Sequence, residues 1–240
     1  MRSHAPLLSG MRLGAATALT GVLLDQDQAI LPEPALYAHA LGMTLFNLLF
    51  LGPLVYAHVP IRWRPGRGPL RFVRTLLESV GLVGAHAALY SLAHRAMHKL
   101  RALRPIHDPH HRFKDVVIPS AANAVTPAEF LFAYMAPFAV SAWMHPPSPT
   151  SLNVAATVVS AFNLLVHTPS LATCSHIPEW WVDPKTHLEH HRVRLGRYAA
   201  PTFQFHPAPL LVASLALGGA VSGRVGERYI FFPPQCFHSM

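Results

Sequence analysis

Residues 76–111 read LLESVGLVGAHAALYSLAHRAMHKLRALRPIHDPHH. The stretch opens as an apolar run, Leu76–Ala93, broken only by Glu78 and His86, and closes in a dense set of histidines. A run of that length approaches what a helix needs to cross a bilayer. Ionisable groups inside such a segment are costly and usually face the interior of a bundle. The histidines follow at once as His94-x-x-x-His98 and His107-x-x-His110-His111. Residues three and four apart share one face of a helix, so the first motif presents two imidazoles together and the second presents three. Asp108-Pro109 could itself start a helix, which would leave His107 just outside it. Neutral imidazole is the commonest biological metal ligand and suits iron, zinc and copper.

Further along, His187-x-x-His190-His191 repeats the second pattern. Asp183-Pro184 before it reads as an N-cap with proline at the first helical position, so a helix carrying all three histidines is expected there. Glu189, between them, is a candidate either for a hydrogen bond to a ligand imidazole or for a solvated surface group.

The rest of the chain supplies membrane segments. Leu36–Val59 carries no charged residue and is the clearest span. Leu13–Leu24 is shorter and adjoins Arg12, which points to an interfacial or anchoring helix within residues 1–35. Phe130–Met144 and Ser151–Val166 flank His145-Pro146-Pro147-Ser148-Pro149, which no helix passes through intact. They form an expected helical hairpin within 130–166 that enters and leaves by the same side. Ala208–Ser222, in the tail 206–240, reads as interfacial. The expected organisation is thus an N-terminal segment (1–35), a first transmembrane helix and basic loop (36–75), a catalytic domain (76–205) and a tail. The fold class is all-α, a polytopic helical bundle.

Composition agrees. The 240 residues are 51% hydrophobic and 12% charged, about half the charge of an average soluble domain. Seventeen histidines outnumber 11 acidic residues, so a metal site here would draw on nitrogen more than on carboxylate. Two cysteines, Cys174 and Cys236, are too few for a disulfide framework or a thiolate zinc site. No zinc-protease, hydrolase-elbow, phosphate-loop or dinucleotide motif occurs. The arginines are dispersed around the spans, which argues against nucleic acid.

Topology gives a second argument for a shared site. The first two clusters follow one span and the third follows the hairpin, so an even number of passes returns all eight imidazoles to one membrane face. Arg95, Lys99, Arg101, Arg104, Arg112 and Lys114, with Arg192, Arg194 and Arg197, assign that face to the cytosol by the positive-inside rule. Arg62, Arg64, Arg67, Arg71 and Arg74 lie before the second span and oppose the rule, unless Leu76–Ala93 is partly re-entrant.

Between about Leu76 and Pro201 the chain resembles the fatty acid hydroxylase/sterol desaturase superfamily. Tyr90-Ser-Leu-Ala-His94-Arg95 is similar to the family's Tyr-Trp-x-x-His-Arg, and Ile106–Phe113 to its second histidine box. Thr126-Pro-Ala-Glu129 resembles its His-Pro-x-Glu, His167-Thr168 its His-Ser, and Trp180–His191 the lead into its last box. The resemblance implies an oxygenase with two non-haem iron ions at the cytosolic face of the endoplasmic reticulum membrane. It would use O2 and two external electrons, through a cytochrome b5/NAD(P)H reductase type of donor, to hydroxylate or desaturate a membrane lipid. The same resemblance makes His94, His98, His107, His110, His111, His187, His190 and His191 the ligands, with His167 as a ninth. His86 and His176 are weaker candidates, with a buried structural role as the favoured reading. The chain carries no nucleotide motif and no His-Pro-Gly-Gly haem segment, so electrons must come from a partner. The strip Arg95, Lys99, Arg101 and Arg104 could steer an acidic donor or contact lipid headgroups. Ala87 and His86 stand where the family has an acidic residue, Thr126 replaces a histidine, and Arg197-Tyr198-Ala199 replaces Asn-Tyr-Gly. Two rival readings are therefore a catalytically inactive family member and a histidine-rich membrane metal transporter.

Overall fold

The computed structural model describes residues 5–62, 69–173, 181–194, 198, 209, 212–214 and 216. His176 and most of Ala208–Ser222 lie outside the described residues. Six helices organise the described chain: α1 (Ala5–Asp25), α2 (Pro34–His58), α3 (Pro69–Lys99), α4 (127–144), α5 (Pro149–Val166) and α6 (Pro184–Val193). Of these, α1, α2, α3 and α5 are long and apolar enough to cross a membrane. The fold is an all-α polytopic membrane bundle, with no strand among the described residues.

Its outer surface is that of a protein solvated by lipid. Leu19, Leu23, Phe50, Leu70, Phe72 and Trp143 are each more than half exposed on these helices. In water so many exposed large side chains would be a liability; hydrocarbon accepts them without cost. The first helix is longer than its apolar run, because Arg12 interrupts the hydrophobicity without interrupting the helix. It covers 21 residues, and a crossing is open to it.

Small residues let α1 approach its neighbours. Gly10, Gly14, Thr17, Ala18, Gly21 and Asp25 form its buried stripe, at spacings of three and four. A Cβ on Gly14 would come within 1.9 Å of the Leu48 carbonyl oxygen, so only glycine fits there. In the middle of α2 a π-helical turn at Asn47–Leu51 widens the backbone. A similar turn, Phe130–Met135, interrupts α4.

The C-terminal end of α1 and the middle of α2 hold the irregular segment 119–125 in place. Asp25 Oδ1 accepts the Ser120 amide (3.0 Å), and Thr44 Oγ1 donates to the Ser120 carbonyl (2.8 Å). Asn47 Nδ2 donates to the carbonyls of Asn123 (3.0 Å) and Val125 (2.8 Å). Non-helical backbone buried inside a membrane bundle is tolerated only where its polar groups are satisfied by protein. The segment delivers the chain to Thr126, whose hydroxyl accepts the Glu129 amide and caps α4.

α3 is continuous over 31 residues and is long and apolar enough to cross a membrane. Its N-terminal end packs against the turn of the α4–α5 hairpin, where Glu78 Oε2 accepts the Ser148 amide (3.0 Å). Its other end carries His94 and His98. Arg71 and Arg74 therefore lie at the end of α3 remote from the histidines.

Candidate metal centre

Nine histidines meet at one end of the bundle, from four sources. α3 contributes His94 and His98 on consecutive turns of its last stretch. α5 contributes His167, immediately after its last residue. α6 contributes His187, His190 and His191; as expected, Asp183 caps it by accepting the Lys185 amide, with Pro184 at the first position. The remaining three come from the segment after α3, which departs from the expectation of one helical face. A single helical turn, Arg104–His107, ends at His107, and His110 and His111 stand on a separate 3-10 turn, His110–Arg112. Pro109 cannot donate a helical hydrogen bond, so the chain breaks between them and each imidazole is aimed separately.

The histidines sort into two groups, His94, His98, His107, His111 and His190, and His110, His167, His187 and His191, each with its nearest ring nitrogens within 4.8 Å of one another. Adjacent residues divide between them: His110 and His111 point to different groups, as do His190 and His191. Each HxxHH motif therefore braces both groups. All nine are buried except His98, which is half-buried.

The hydrogen bonds fix the tautomers and show what the groups require. His107 Nδ1 lies 2.7 Å from Glu129 Oε1, and burial pushes the Glu129 carboxyl well above the usual carboxylate range. With a cation on Nε2 the proton stays on Nδ1, Glu129 accepts it as a carboxylate, and Nε2 presents a lone pair. His111 Nδ1 likewise donates to the His191 carbonyl (3.4 Å), again leaving Nε2 as a lone pair. These two Nε2 atoms nevertheless face each other at 3.0 Å. Two lone pairs at that distance repel unless a cation lies between them. In the five-histidine group neighbouring Nε2 atoms lie 3.0–3.3 Å apart. Neighbouring ligands at bonds of about 2.1 Å, ninety degrees apart, are separated by about 3 Å. The four-histidine group repeats the logic less tightly. His167 Nδ1 donates to the Asn163 carbonyl (2.7 Å), leaving Nε2 to face His187 Nε2 (3.1 Å) and His110 Nε2 (3.5 Å). The residues present thus fit two nitrogen-ligated metal ions.

Protonation is set for the same purpose. Burial pushes His107 down to about 2, His111 to about 3 and His167 to about 4, the first two also under the neighbouring histidines. His110, His187 and His191 are held well below the ordinary value, by burial first and by neighbouring imidazoles second. Each is neutral at pH 7, the form that ligates metal.

Two of the sequence candidates, His86 and Glu189, stand elsewhere. His86 is fully buried one helical stretch before His94, but its Nε2 lies 3.2 Å from the Tyr134 carbonyl and its ring packs on Phe138. It belongs to neither group. Glu189 is exposed, because α6 turns its histidines inward and Glu189 outward. His176 lies outside the described residues. The carboxylate that does meet a histidine is Glu129, with no surface exposed. Its signal was the Thr126-Pro-Ala-Glu129 motif, where a capped helix start places the fourth residue toward the histidines. Thr126, in place of a histidine, also donates to the Ile106 carbonyl (2.7 Å), which clamps Glu129 to the residue before His107. Tyr198 lies over His98 with ring centroids 4.8 Å apart, and the Lys99 ammonium sits 5.8 Å from the Tyr198 ring.

No curated protein and no solved structure matches the chain. The family model described as fatty acid hydroxylase matches residues 79–207, more than half of the 240. That stretch contains every histidine of both groups. The chain belongs to the fatty acid hydroxylase family, within the fatty acid hydroxylase/sterol desaturase superfamily.

Proposed function

We propose that the protein is a membrane-bound non-haem di-iron oxygenase that hydroxylates or desaturates a lipid, using O2 and electrons from an external donor. The family supports a lipid hydroxylase or desaturase with a histidine-rich metal site. The observation that carries the reading is the pair of histidine groups whose lone pairs converge at 3.0–3.3 Å in the larger group. His94, His98, His107, His111 and His190 would hold one iron, and His110, His167, His187 and His191 the other. Bound iron would supply the redox chemistry that activates O2 toward an unactivated C–H bond.

The chain's own part is placement. The histidines sit at the ends of apolar helices, so a substrate dissolved in hydrocarbon reaches them without leaving the membrane. A cavity of about 70 Å³ lies within the bundle between α1, α2 and the α4–α5 hairpin. Leu13, Leu48, Val55, Phe138 and Leu152 line it, and it reaches Phe130, next to Glu129. An alkyl chain would lodge there. The basic residues Arg95, Lys99, Arg101 and Arg104 border the half-buried His98 and suit an acidic electron donor of the cytochrome b5 type. We assign the histidine end to the cytosolic face of the endoplasmic reticulum membrane, on the concentration of Arg and Lys at that end.

A metal transporter would need ligands spaced along a path through the spans. The histidines are instead gathered at one end, which favours the oxygenase. The test is purified protein, analysed for iron and incubated with lipid extract, an electron donor and isotopically labelled O2. We expect about two irons per chain and an O2-dependent change in a lipid, either a labelled hydroxyl or the loss of two hydrogens. Protein without iron, or turnover that persists without O2, rejects the proposal.

A further inference from the structure

The two histidine groups are not supported alike. In the five-histidine group, His107 donates its Nδ1 proton to a buried carboxylate, Glu129, at 2.7 Å. With a cation on His107 Nε2 the carboxyl is ionised, and its negative charge then lies directly behind a ligand and raises the electron density on Nε2. Glu129 is held rigidly, since the Thr126 hydroxyl accepts its amide at 3.1 Å and donates to the Ile106 carbonyl at 2.7 Å. In the four-histidine group the corresponding support is a neutral backbone carbonyl, Asn163 O behind His167 at 2.7 Å. Unpartnered Nδ1 atoms occur in both groups, at His94 in the first and at His110 and His191 in the second, so the contrast lies in what stands behind His107 and His167. The first group therefore has one more imidazole, shorter nitrogen separations and a charged anchor.

We propose that Glu129 is a positioning residue that makes the two metal positions unequal, the five-histidine group being the high-affinity position and the four-histidine group the exchangeable one. The proposal rests on the reading that both groups hold iron. All nine ligands are neutral, so a bound cation in either group gains no charge compensation from its ligands. Glu129 supplies it to one group. In a low-dielectric interior that difference is large compared with what an added neutral dipole provides.

The test is anaerobic titration of the full-length protein with ferrous iron, read by chelator competition and by the Mössbauer spectrum of iron-57. Wild type should show two affinity classes and two spectral components. Glu129→Gln keeps the size and the hydrogen bond but removes the charge. It should weaken the tight class about 10- to 100-fold and alter one component, while the weak class stays unchanged and serves as the check on folding. His167→Ala should do the reverse, removing the weak class alone. Equal affinities in wild type, or Glu129→Gln shifting both classes or neither, overturn the proposal. Wild-type protein that takes up no iron overturns the metal reading itself, a result readily told apart from two equal sites.

Discussion

The Glu78 carboxylate accepts a 2.7 Å hydrogen bond from the Ser151 hydroxyl, and so ties the helix that carries His94 and His98 to the helix that ends just before His167. The same oxygen, Oε2, takes the Ser148 amide at 3.0 Å, and Oε1 meets Arg74 Nε at 3.3 Å. A charge in the first third of a spanning helix looks like a ligand or relay when read from sequence alone. Here it closes the hairpin turn, remote from the histidines. Glu78→Ala strips the acceptor from the buried Ser151 hydroxyl, a loss costing about 1–3 kcal/mol, and from the half-buried Ser148 amide. Thermal unfolding in detergent should show a clear drop in midpoint, and Glu78→Gln a smaller one. An unchanged midpoint for Glu78→Ala would mean the turn is held by other contacts.

Gly14 and Gly42 provide a matched pair on α1 and α2. A methyl at Gly14 meets the Leu48 carbonyl at 1.9 Å, backbone that cannot rotate away, whereas a methyl at Gly42 meets nothing within 4 Å. Gly14→Ala should separate α1 from α2 and lower stability. Gly42→Ala should be neutral or stabilising by up to about 1 kcal/mol, as expected for glycine replaced by alanine inside a helix. Equal effects in the two variants would show that α1 is not tightly seated on α2.

Much of this centre was legible because imidazole spacing on helices is a local property. His94 with His98, and His187 with His190 and His191, each lie on one helix, so sequence distance translates directly into a shared face. What sequence could not resolve was set by tertiary phase. Glu189 and Glu129 are both close in sequence to histidine-rich or family-like motifs, yet the outward face of α6 exposes one while the capped start of α4 buries the other. Pro109 breaks the second cluster into two pieces, and the chain beyond them, 119–125, is pinned by Asp25, Thr44 and Asn47 on helices distant in sequence. The length of α1 was also hidden, since hydropathy falls at Arg12 while the helix continues.

His86 distinguishes a buried structural histidine from a ligand. Its ring lies 4.3 Å from Phe138 and its Nε2 meets the Tyr134 carbonyl. His86→Gln retains a donor for that carbonyl and should keep the full metal content with a modest loss of stability. His191→Ala should lose about half the metal, because the four-histidine group falls to three while the five-histidine group is intact. Metal analysis of the two purified variants makes the comparison, and loss of metal from His86→Gln would bring His86 back into the ligand set.

The buried imidazoles also fix how the metal-free protein responds to acid. His107, His111 and His167 titrate near 2, 3 and 4 in the folded chain, below the ordinary histidine value of about 6.5 that they regain on unfolding. Above pH 6.5 all three are neutral in both states and stability does not depend on them. As pH falls below 6.5 the unfolded chain binds protons that the folded chain refuses, so their contribution is lost progressively toward their folded values. Each group contributes a slope of at most about 1.4 kcal/mol per pH unit. Metal-free protein should therefore unfold at nearly constant temperature from pH 8 to 7 and at falling temperature from 6.5 to 5. Metal-loaded protein should begin its decline at lower pH, because a metal on Nε2 must be displaced before the proton can bind. A midpoint that stays flat down to pH 5 in the metal-free protein would mean that these histidines are hydrated and not desolvated by the bundle.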